Sequence, residues 1–108
     1  MISVGRTPPG KEEIVPTYIV LSTLTDHGLK TLKETPNRLT EVNAEISRMG
    51  ATVREQWAVL GQYDFINVIE APDNETMTRV SVEIGSRGSV RLVTLPAVDA
   101  REFIKSLK

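Results

Sequence analysis

The strongest constraint on the fold comes from segments that are apolar on both sides of an extended chain. Four of them are short and rich in β-branched, aliphatic or aromatic residues, and they span residues 17–25, 51–60, 63–71 and 90–97. In the first, Tyr18 and Val20 point one way while Ile19 and Leu21 point the other, because successive side chains of a strand alternate. A sheet built from such strands needs an apolar layer against each of its faces.

The spacing of apolar residues predicts a helical region after the first strand. Its apolar residues recur three, four or seven positions apart and are Leu29, Leu32, Leu39, Val42, Ile46 and Met49. Thr25 or Asp26 supplies the N-cap, and Gly50 ends the region. Thr35 and Pro36 interrupt the pattern because proline lacks an amide proton. We therefore expect a second start, with Thr35 as N-cap and Pro36 in the first helical position.

The rest of the chain supplies a hairpin, a second long helix and a terminal helix. Gly61 and Gln62 favour a type II′ turn between the second and third strands, since its first position needs a positive φ. Asp73 caps the next helix, and Asp99 with Glu102 forms a capping-box-like pair before the last one. The order β-α-β-β-α-β plus a helix predicts an α+β fold, a ferredoxin-like sandwich.

Two helices can cover one face of this sheet, which leaves the other face apolar and open. Four strands of about seven residues give a face of roughly 440 Å², as large as the largest apolar patch of a typical monomer. Pairing two such faces would bury on the order of 1,000 Å² or more, enough for a specific interface. We predict a homodimer, or a higher homo-oligomer built on it, packed face to face. The alternative is a monomer in which the terminal helix or the N-terminal arm covers that face.

Composition excludes several classes of protein. The 108 residues include 13 basic and 14 acidic ones, so no charge pattern typical of binding to nucleic acid or a membrane surface is present. There is no Cys and one His, which argues against disulfides, thiolate catalysis and most metal sites, and we predict no metal and no cofactor. No run approaches the ~20 apolar residues of a membrane span, and the start does not resemble a signal peptide, so we predict a cytoplasmic protein.

Residues 1–16 differ in composition from the rest of the chain. They contain three prolines, two glycines and a charged Lys-Glu-Glu run, and such a segment buries too little apolar surface to offset the entropy of ordering it. We predict a flexible N-terminal arm over residues 1–16 and one folded domain over residues 17–108. An added strand at Ile14 and Val15, or an arm around a neighbouring subunit, is the alternative.

One stretch, LGQYDFINVIEAPDNET at residues 60–76, resembles the GYD family, which is named for a Gly-x-Tyr-Asp signature. The signature residues here are Gly61, Tyr63 and Asp64, and the resemblance extends over about residues 17–103. It implies membership of the dimeric α+β barrel superfamily, in agreement with the argument from the sheet faces. That superfamily includes cofactor-free monooxygenases, lactone isomerases, haem enzymes and amino-acid-sensing domains, so the fold does not select a reaction.

Three polar candidates for a ligand pocket lie near predicted turns or helix starts. Gly61 is most simply a turn residue. Tyr63 packs at the start of a strand or donates a hydrogen bond at a pocket mouth. Asp64 accepts backbone amide protons near the turn, pairs with an arginine, or stands ionised at that mouth. His27 lies in the first turn of a helix, where it is a surface residue or an acid/base group beside free backbone amides.

The other three candidates lie within strands. Trp57 shares a strand face with Glu55 and serves either packing or ligand contact. Asn67 lies on the same face as Phe65 and Ile69, where a polar side chain needs a partner, either an amide across the dimer or a ligand. Arg91 binds a carboxylate or forms a salt bridge with Asp64 or Glu70.

These features leave two main hypotheses, because no nucleophile-base set or phosphate-binding loop is present in the sequence. The favoured one is a homodimeric module that binds a small, fairly apolar molecule between sheet and helices or acts as a scaffold. The alternative is a cofactor-free oxygenase or isomerase acting on an aromatic or quinone-like substrate, with His27, Tyr63, Asp64 and Asn67 in one pocket. An oligomer that is itself the function is a third possibility.

Overall fold

The computed structural model describes residues 15–108, so nearly all of the predicted arm at residues 1–16 lies outside the described residues. Its eight elements, in chain order, are β1 (Thr17–Leu24), α1 (Asp26–Glu34), α2 (Arg38–Arg48), β2 (Thr52–Ala58), β3 (Phe65–Glu70), α3 (Asn74–Gly85), β4 (Val90–Ala97) and α4 (Ala100–Ser106). Counting α1 and α2 as the interrupted helical region, this is the predicted order.

The four strands form one antiparallel sheet in the order β2-β3-β1-β4. The two central strands are therefore the first and third, each followed by helix, as in a ferredoxin-like sandwich. The predicted fold class is confirmed. A register shift between Val53 and Glu55 marks a bulge in β2.

The helical region breaks at the predicted place but restarts later than expected. Thr35 is the C-cap of α1, with φ −138° and ψ 75°, which is outside the α region that a following proline disfavours. The N-cap of α2 is Asn37 and the helix begins at Arg38. The prediction of Thr35 as N-cap and Pro36 in the first helical position is wrong, because Thr35 still closes the first helix by donating to the Thr31 carbonyl.

Strand pairing in the hairpin between β2 and β3 ends before it reaches the residues that would flank a two-residue turn. Gly61 has the predicted positive φ, at 106°, but the paired strands stop at Ala58 and Phe65. Beyond them one bond remains, from Val59 N to Asp64 O at 2.9 Å. The tight two-residue turn and a strand beginning at Tyr63 are therefore wrong, because the backbone N–H of Asp64 donates to Ser22 O in β1 instead of continuing the ladder.

The core lies between one face of the sheet, here called the helix face, and the layer of α1, α2 and α3. Its buried residues are Tyr18, Val20, Ile46, Ala51, Ile69, Ala71, Met77, Val80 and Ile84. Met77 and Val80 from α3 are among the most deeply buried side chains. Burial at this helix-sheet interface is the main force that holds the subunit together.

The opposite face of the sheet, here called the outer face, is apolar and open. Its apolar side chains are Ile19, Leu21, Trp57, Ile66, Val68, Val93 and Leu95. Trp57, Val93 and Leu95 remain 59%, 44% and 45% exposed. All residues of α4 are exposed, so the terminal helix does not shield this face within residues 15–108. None of the helices in that range is long and apolar enough to cross a membrane.

Candidate functional site

A cavity of about 140 Å³ lies between the helix face and the helices of the same subunit. Its apolar lining comes from α1, α2, α3 and all four strands, and includes Val20, Leu24, Leu32, Leu39, Val42, Ile46, Val53, Phe65, Ile69, Met77, Val80, Ile84, Val90 and Leu92. Such a space, lined by apolar side chains with a few polar groups, has the character of a small-molecule site.

Polar side chains form a continuous hydrogen-bonded row along one wall of this cavity, here called the amide row. From β1 to α2 its members are Ser22, Asn67, Gln56 and Asn43. The Asn67 amide donates to Ser22 Oγ at 2.8 Å, and its carbonyl accepts from Gln56 Nε2 at 2.8 Å. Gln56 and Asn43 exchange two bonds, of 2.9 and 3.3 Å. The row ties three strands and a helix together.

The start of α1 is held against the segment that precedes β4. This contact forms one end of the cavity lining. The Thr25 side chain caps α1 by accepting from Gly28 N at 3.1 Å. The same residue donates from its backbone N to Ser89 O at 3.0 Å and from its hydroxyl to Gly88 O at 2.7 Å. Gly28 packs against Ser89 so closely that a Cβ would stand 2.0 Å from the Ser89 carbonyl oxygen. Both Gly28 and Ser89 line the cavity.

Charged groups at another part of the lining are already paired. Arg87 donates to Glu45 and, at 3.0 Å, to Glu83. Arg38 lies 3.3 Å from Glu41 and 3.8 Å from Glu45. The hydrogen bond from Arg87 is the main reason that the pKa of Glu45 lies below its ordinary value, and the same bond raises the pKa of Arg87. These carboxylates largely neutralise the two arginines.

Of the residues predicted for a pocket, Asn67 lies in the wall of this cavity. It is buried, as expected for a polar side chain on the helix face, but its partners are within its own subunit. Its amide nitrogen donates to Val20 O and Ser22 Oγ, each at 2.8 Å, and its oxygen accepts from Gln56. The side chain of Asn67 therefore has its hydrogen-bond partners without the group across a dimer, or the ligand, that the sequence led us to expect.

Asp64 fastens the hairpin loop to the end of β1. Its carboxylate accepts from Leu24 N at 2.8 Å, and its backbone N–H donates to Ser22 O at 2.8 Å. The structural interpretation of Asp64, as an acceptor of backbone amide protons, is confirmed. Tyr63 lies half-buried in the same loop, after exposed Gly61, and neither residue lines the cavity.

The remaining three candidates lie elsewhere on the surface. His27 is exposed in the first turn of α1. Trp57 is on the outer face, where its indole N–H donates to Glu55 at 3.2 Å. Arg91 is opposite Thr23 on the outer face of β4, an edge strand, and also borders a groove between β4 and α3. Of the four residues that the enzyme hypothesis placed in one pocket, Asn67 lines this cavity and the other three do not.

Sequence reasoning missed the partners of Asn67, although the signals were present. Ser22 follows Tyr18 and Val20 on the helix face of β1, where a hydroxyl stands out in an apolar row. Gln56 lies opposite Asn67 in the observed register, and a two-residue turn at positions 61–62 would have given the same register. Asn43, a half-buried residue of α2, had no comparable signal. Within residues 15–108, no three His, Cys, Asp or Glu side chains are grouped to hold a metal ion.

Replacing Asp64 with alanine is expected to lower the free energy of unfolding by about 1–3 kcal/mol, because it leaves the half-buried Leu24 N–H without its acceptor. Asp64→Asn retains a carbonyl oxygen at that position and should lose less. Urea denaturation of the three proteins measures both effects. Equal stability of Asp64→Ala and the unchanged protein would show that this contact does not hold the loop.

Comparison with known proteins identifies several similar chains. The family model for the GYD domain matches residues 18–107. A Thermus thermophilus protein named glutamine synthetase and cystathionine beta-lyase binding protein is 50% identical over 95 residues, covering 87% of this chain and all of the relative.

Two solved structures share the fold at lower identity. A crystal structure of a protein from Thermus thermophilus is 24% identical, covers 79% of this chain and 95% of its own, and gives a TM-score of 0.51. AldR from Mycobacterium tuberculosis is 15% identical with a TM-score of 0.58, and the match covers 92% of this chain and 60% of AldR. Both similarities support the ferredoxin-like architecture.

Proposed function

This chain belongs to the GYD domain family, and we propose that it acts as a homodimeric protein-binding module for metabolic enzymes. The observation that carries the proposal is the open, apolar outer face in a chain that is 50% identical to a protein named for binding two enzymes. A second copy of the chain covers the outer face, and the resulting dimer presents each remaining surface twice.

The outer face has the composition of a protein interface. Its centre is formed by β1 and β3, where Ile19 and Leu21 lie beside Val68 and Ile66. Charged residues lie towards its edges, among them Arg91 on β4 and Glu55 on β2. An apolar centre with a polar rim is typical of specific interfaces, in which aromatic residues are enriched. Exposed Trp57 on an edge strand is such an aromatic contact residue.

Area supports a second copy as the occupant of the outer face. The strands have eight, seven, six and eight residues, which gives a face of roughly 440 Å² in projection. Two copies packed face to face bury on the order of 1,000 Å² or more, which reaches the range of a specific interface. A dimer built in this way is the α+β barrel that the family resemblance implies.

The enzyme-binding part of the proposal rests on the relative's name. That relative is aligned over its full length, so no additional domain of its own accounts for its binding of glutamine synthetase and cystathionine beta-lyase. We extend the same kind of partner to this chain, together with the cytoplasmic location in which such enzymes would be met. No contact within the described part of the subunit favours the oxygenase or isomerase alternative.

Sedimentation of the purified chain with glutamine synthetase and with cystathionine beta-lyase from the same organism tests the binding proposal. We expect co-sedimentation with at least one enzyme at micromolar concentrations, and none with serum albumin as the control protein. An absence of complex with both enzymes at tens of micromolar would contradict the assignment of partners. Light scattering of the chain alone should give twice its 12.0 kDa mass.

A further inference from the structure

We propose that the cavity between the helix face and the helices binds a compact, uncharged, ring-sized molecule that carries one hydrogen-bond-accepting oxygen. This site is separate from the proposed enzyme-binding function. Its lining residues belong to the helices, to the segment that precedes β4 and to the helix face, which is opposite to the outer face.

The size and lining of the cavity define the apolar part of the ligand. Its volume of about 140 Å³ is close to that of an engineered cavity of about 150 Å³ that stays dry and binds benzene. Here the apolar lining includes Leu32 and Leu39 from the helices and Phe65 and Leu92 from the sheet. A six-membered ring matches this space, and its burial supplies the favourable free energy.

Ser22 defines the polar part of the ligand. Its side-chain oxygen accepts a hydrogen bond from the Asn67 amide at 2.8 Å, which leaves the hydroxyl proton to be donated. Among the hydrogen bonds of residues 15–108, none gives that proton an acceptor, and Ser22 is 7% exposed. A buried donor without an acceptor is costly, so an oxygen atom of a ligand in the cavity completes this bond.

The rest of the amide row holds Ser22 in place and offers little competition as a donor. Both amide protons of Asn67 are used, towards Val20 O and Ser22 Oγ. Both amide protons of Gln56 are used as well, towards Asn43 and Asn67. Asn43, the half-buried end of the row, uses one amide proton towards Gln56, so its other amide proton and the hydroxyl proton of buried Ser22 are the donors that the row presents to a ligand.

Charge on the ligand is disfavoured by the same wall. Arg38 and Arg87 also line the cavity, but both are paired with glutamates. Near Ser22 the buried wall consists of neutral amide groups that are hydrogen-bonded to one another. These groups carry no positive charge to balance a carboxylate. A carboxylate placed there would lose its hydration without gaining a cation, which costs several kcal/mol. An uncharged ketone, ether or alcohol oxygen avoids this cost.

A matched ligand series tests the proposal by titration followed in amide chemical shifts. Cyclohexanone has the ring and an acceptor oxygen, cyclohexane has the ring alone, and cyclobutanecarboxylate has the same number of heavy atoms as cyclohexanone but a charge. We expect cyclohexanone to shift the resonances of Val20, Ser22 and Asn67, and to bind more tightly than either of the other two compounds.

Two variants separate the hydroxyl from the general structure of the wall. Ser22→Ala should weaken cyclohexanone binding roughly threefold to tenfold, the effect of one hydrogen bond, and leave cyclohexane binding unchanged. Ser22→Thr keeps the hydroxyl and should keep the preference for the ketone. Val42→Phe, at a half-buried lining position of α2, should abolish binding of both rings by filling the cavity.

Three results would overturn the proposal. Tightest binding of cyclobutanecarboxylate would show that the site selects charge. Equal binding of cyclohexanone by the unchanged protein and by Ser22→Ala would show that the hydroxyl plays no part. No chemical-shift change at the lining residues with any of the three compounds would show that the cavity does not admit ligands of this class. Because the measurements use the chain alone, they are independent of whether it binds an enzyme.

Discussion

Replacing Gly28 with alanine is expected to destabilise the fold by about 3 kcal/mol or more. A Cβ at this position would stand 2.0 Å from the carbonyl oxygen and 3.0 Å from the carbonyl carbon of Ser89. Both are backbone atoms, so no change of side-chain rotamer relieves the overlap. The start of α1 and the segment before β4 must move apart, which breaks the two hydrogen bonds that Thr25 makes to residues 88 and 89.

Gly85→Ala is the matched control for this prediction. Gly85 is the last residue of α3, and a Cβ built there meets no atom of the described residues within 4 Å apart from its chain neighbours and the backbone of its own helix. The same substitution should therefore be neutral or stabilise by up to about 1 kcal/mol, because alanine restricts the unfolded chain and favours helix. Urea denaturation followed by circular dichroism compares the two. Free energies of unfolding that agree within about 0.5 kcal/mol would contradict the close approach of α1 to Ser89.

The parts of the fold that were predictable depend on local signals. Helix caps are local, and the side chains of Thr25, Asp73 and Asp99 accept the expected backbone N–H groups. The apolar character of both sheet faces is also local, because it follows from strand alternation alone. That pattern predicts one face covered by helices and one open face, but it does not indicate which of the two faces the helices cover.

One of the two errors comes from contacts between segments that are distant in sequence, and the other comes from the end of the preceding helix. Gly61 indicated a tight hairpin, but Asp64 turns towards β1 and bonds to Ser22 and Leu24 across some 40 residues. The restart of the helix at Arg38 instead of Pro36 reflects how the first helix is closed by Thr35. In each case a local rule identified the residue, and a neighbouring element decided its conformation.

The candidate site, too, was predictable only in part. Asn67 was identified because a polar side chain on an apolar strand face needs a partner. Its partners Gln56 and Asn43 come from another strand and a helix, so the amide row required the register of β2 against β3 and the packing of α2. The cavity is a property of packing between layers, and strand or helix periodicity carries no information about a gap of that size.

Replacing Val93 with glutamate is expected to convert the proposed dimer into a monomer. Val93 lies on the outer face of β4, opposite Leu21, and is 44% exposed in the single subunit, so the carboxylate remains hydrated when the chain is alone. In the dimer the carboxylate would lose its hydration among the apolar side chains of the outer face, whereas Arg91, two residues away on the same face of β4, lies at the polar rim. A cost of about 4 kcal/mol raises the dissociation constant on the order of a thousandfold. Light scattering should then give a mass near 12.0 kDa.

Val82→Glu separates loss of the interface from a general effect of added charge. Val82 is 65% exposed on α3, on the helix side of the sheet. The variant therefore adds the same charge at a position away from the outer face. We expect this variant to keep the dimer mass, and both variants to keep the circular dichroism of the unchanged protein. If Val93→Glu remains dimeric, or if Val82→Glu dissociates instead, the subunits meet through another surface. In that case the outer face requires a different covering, and its apolar side chains would then belong to the contact with an enzyme.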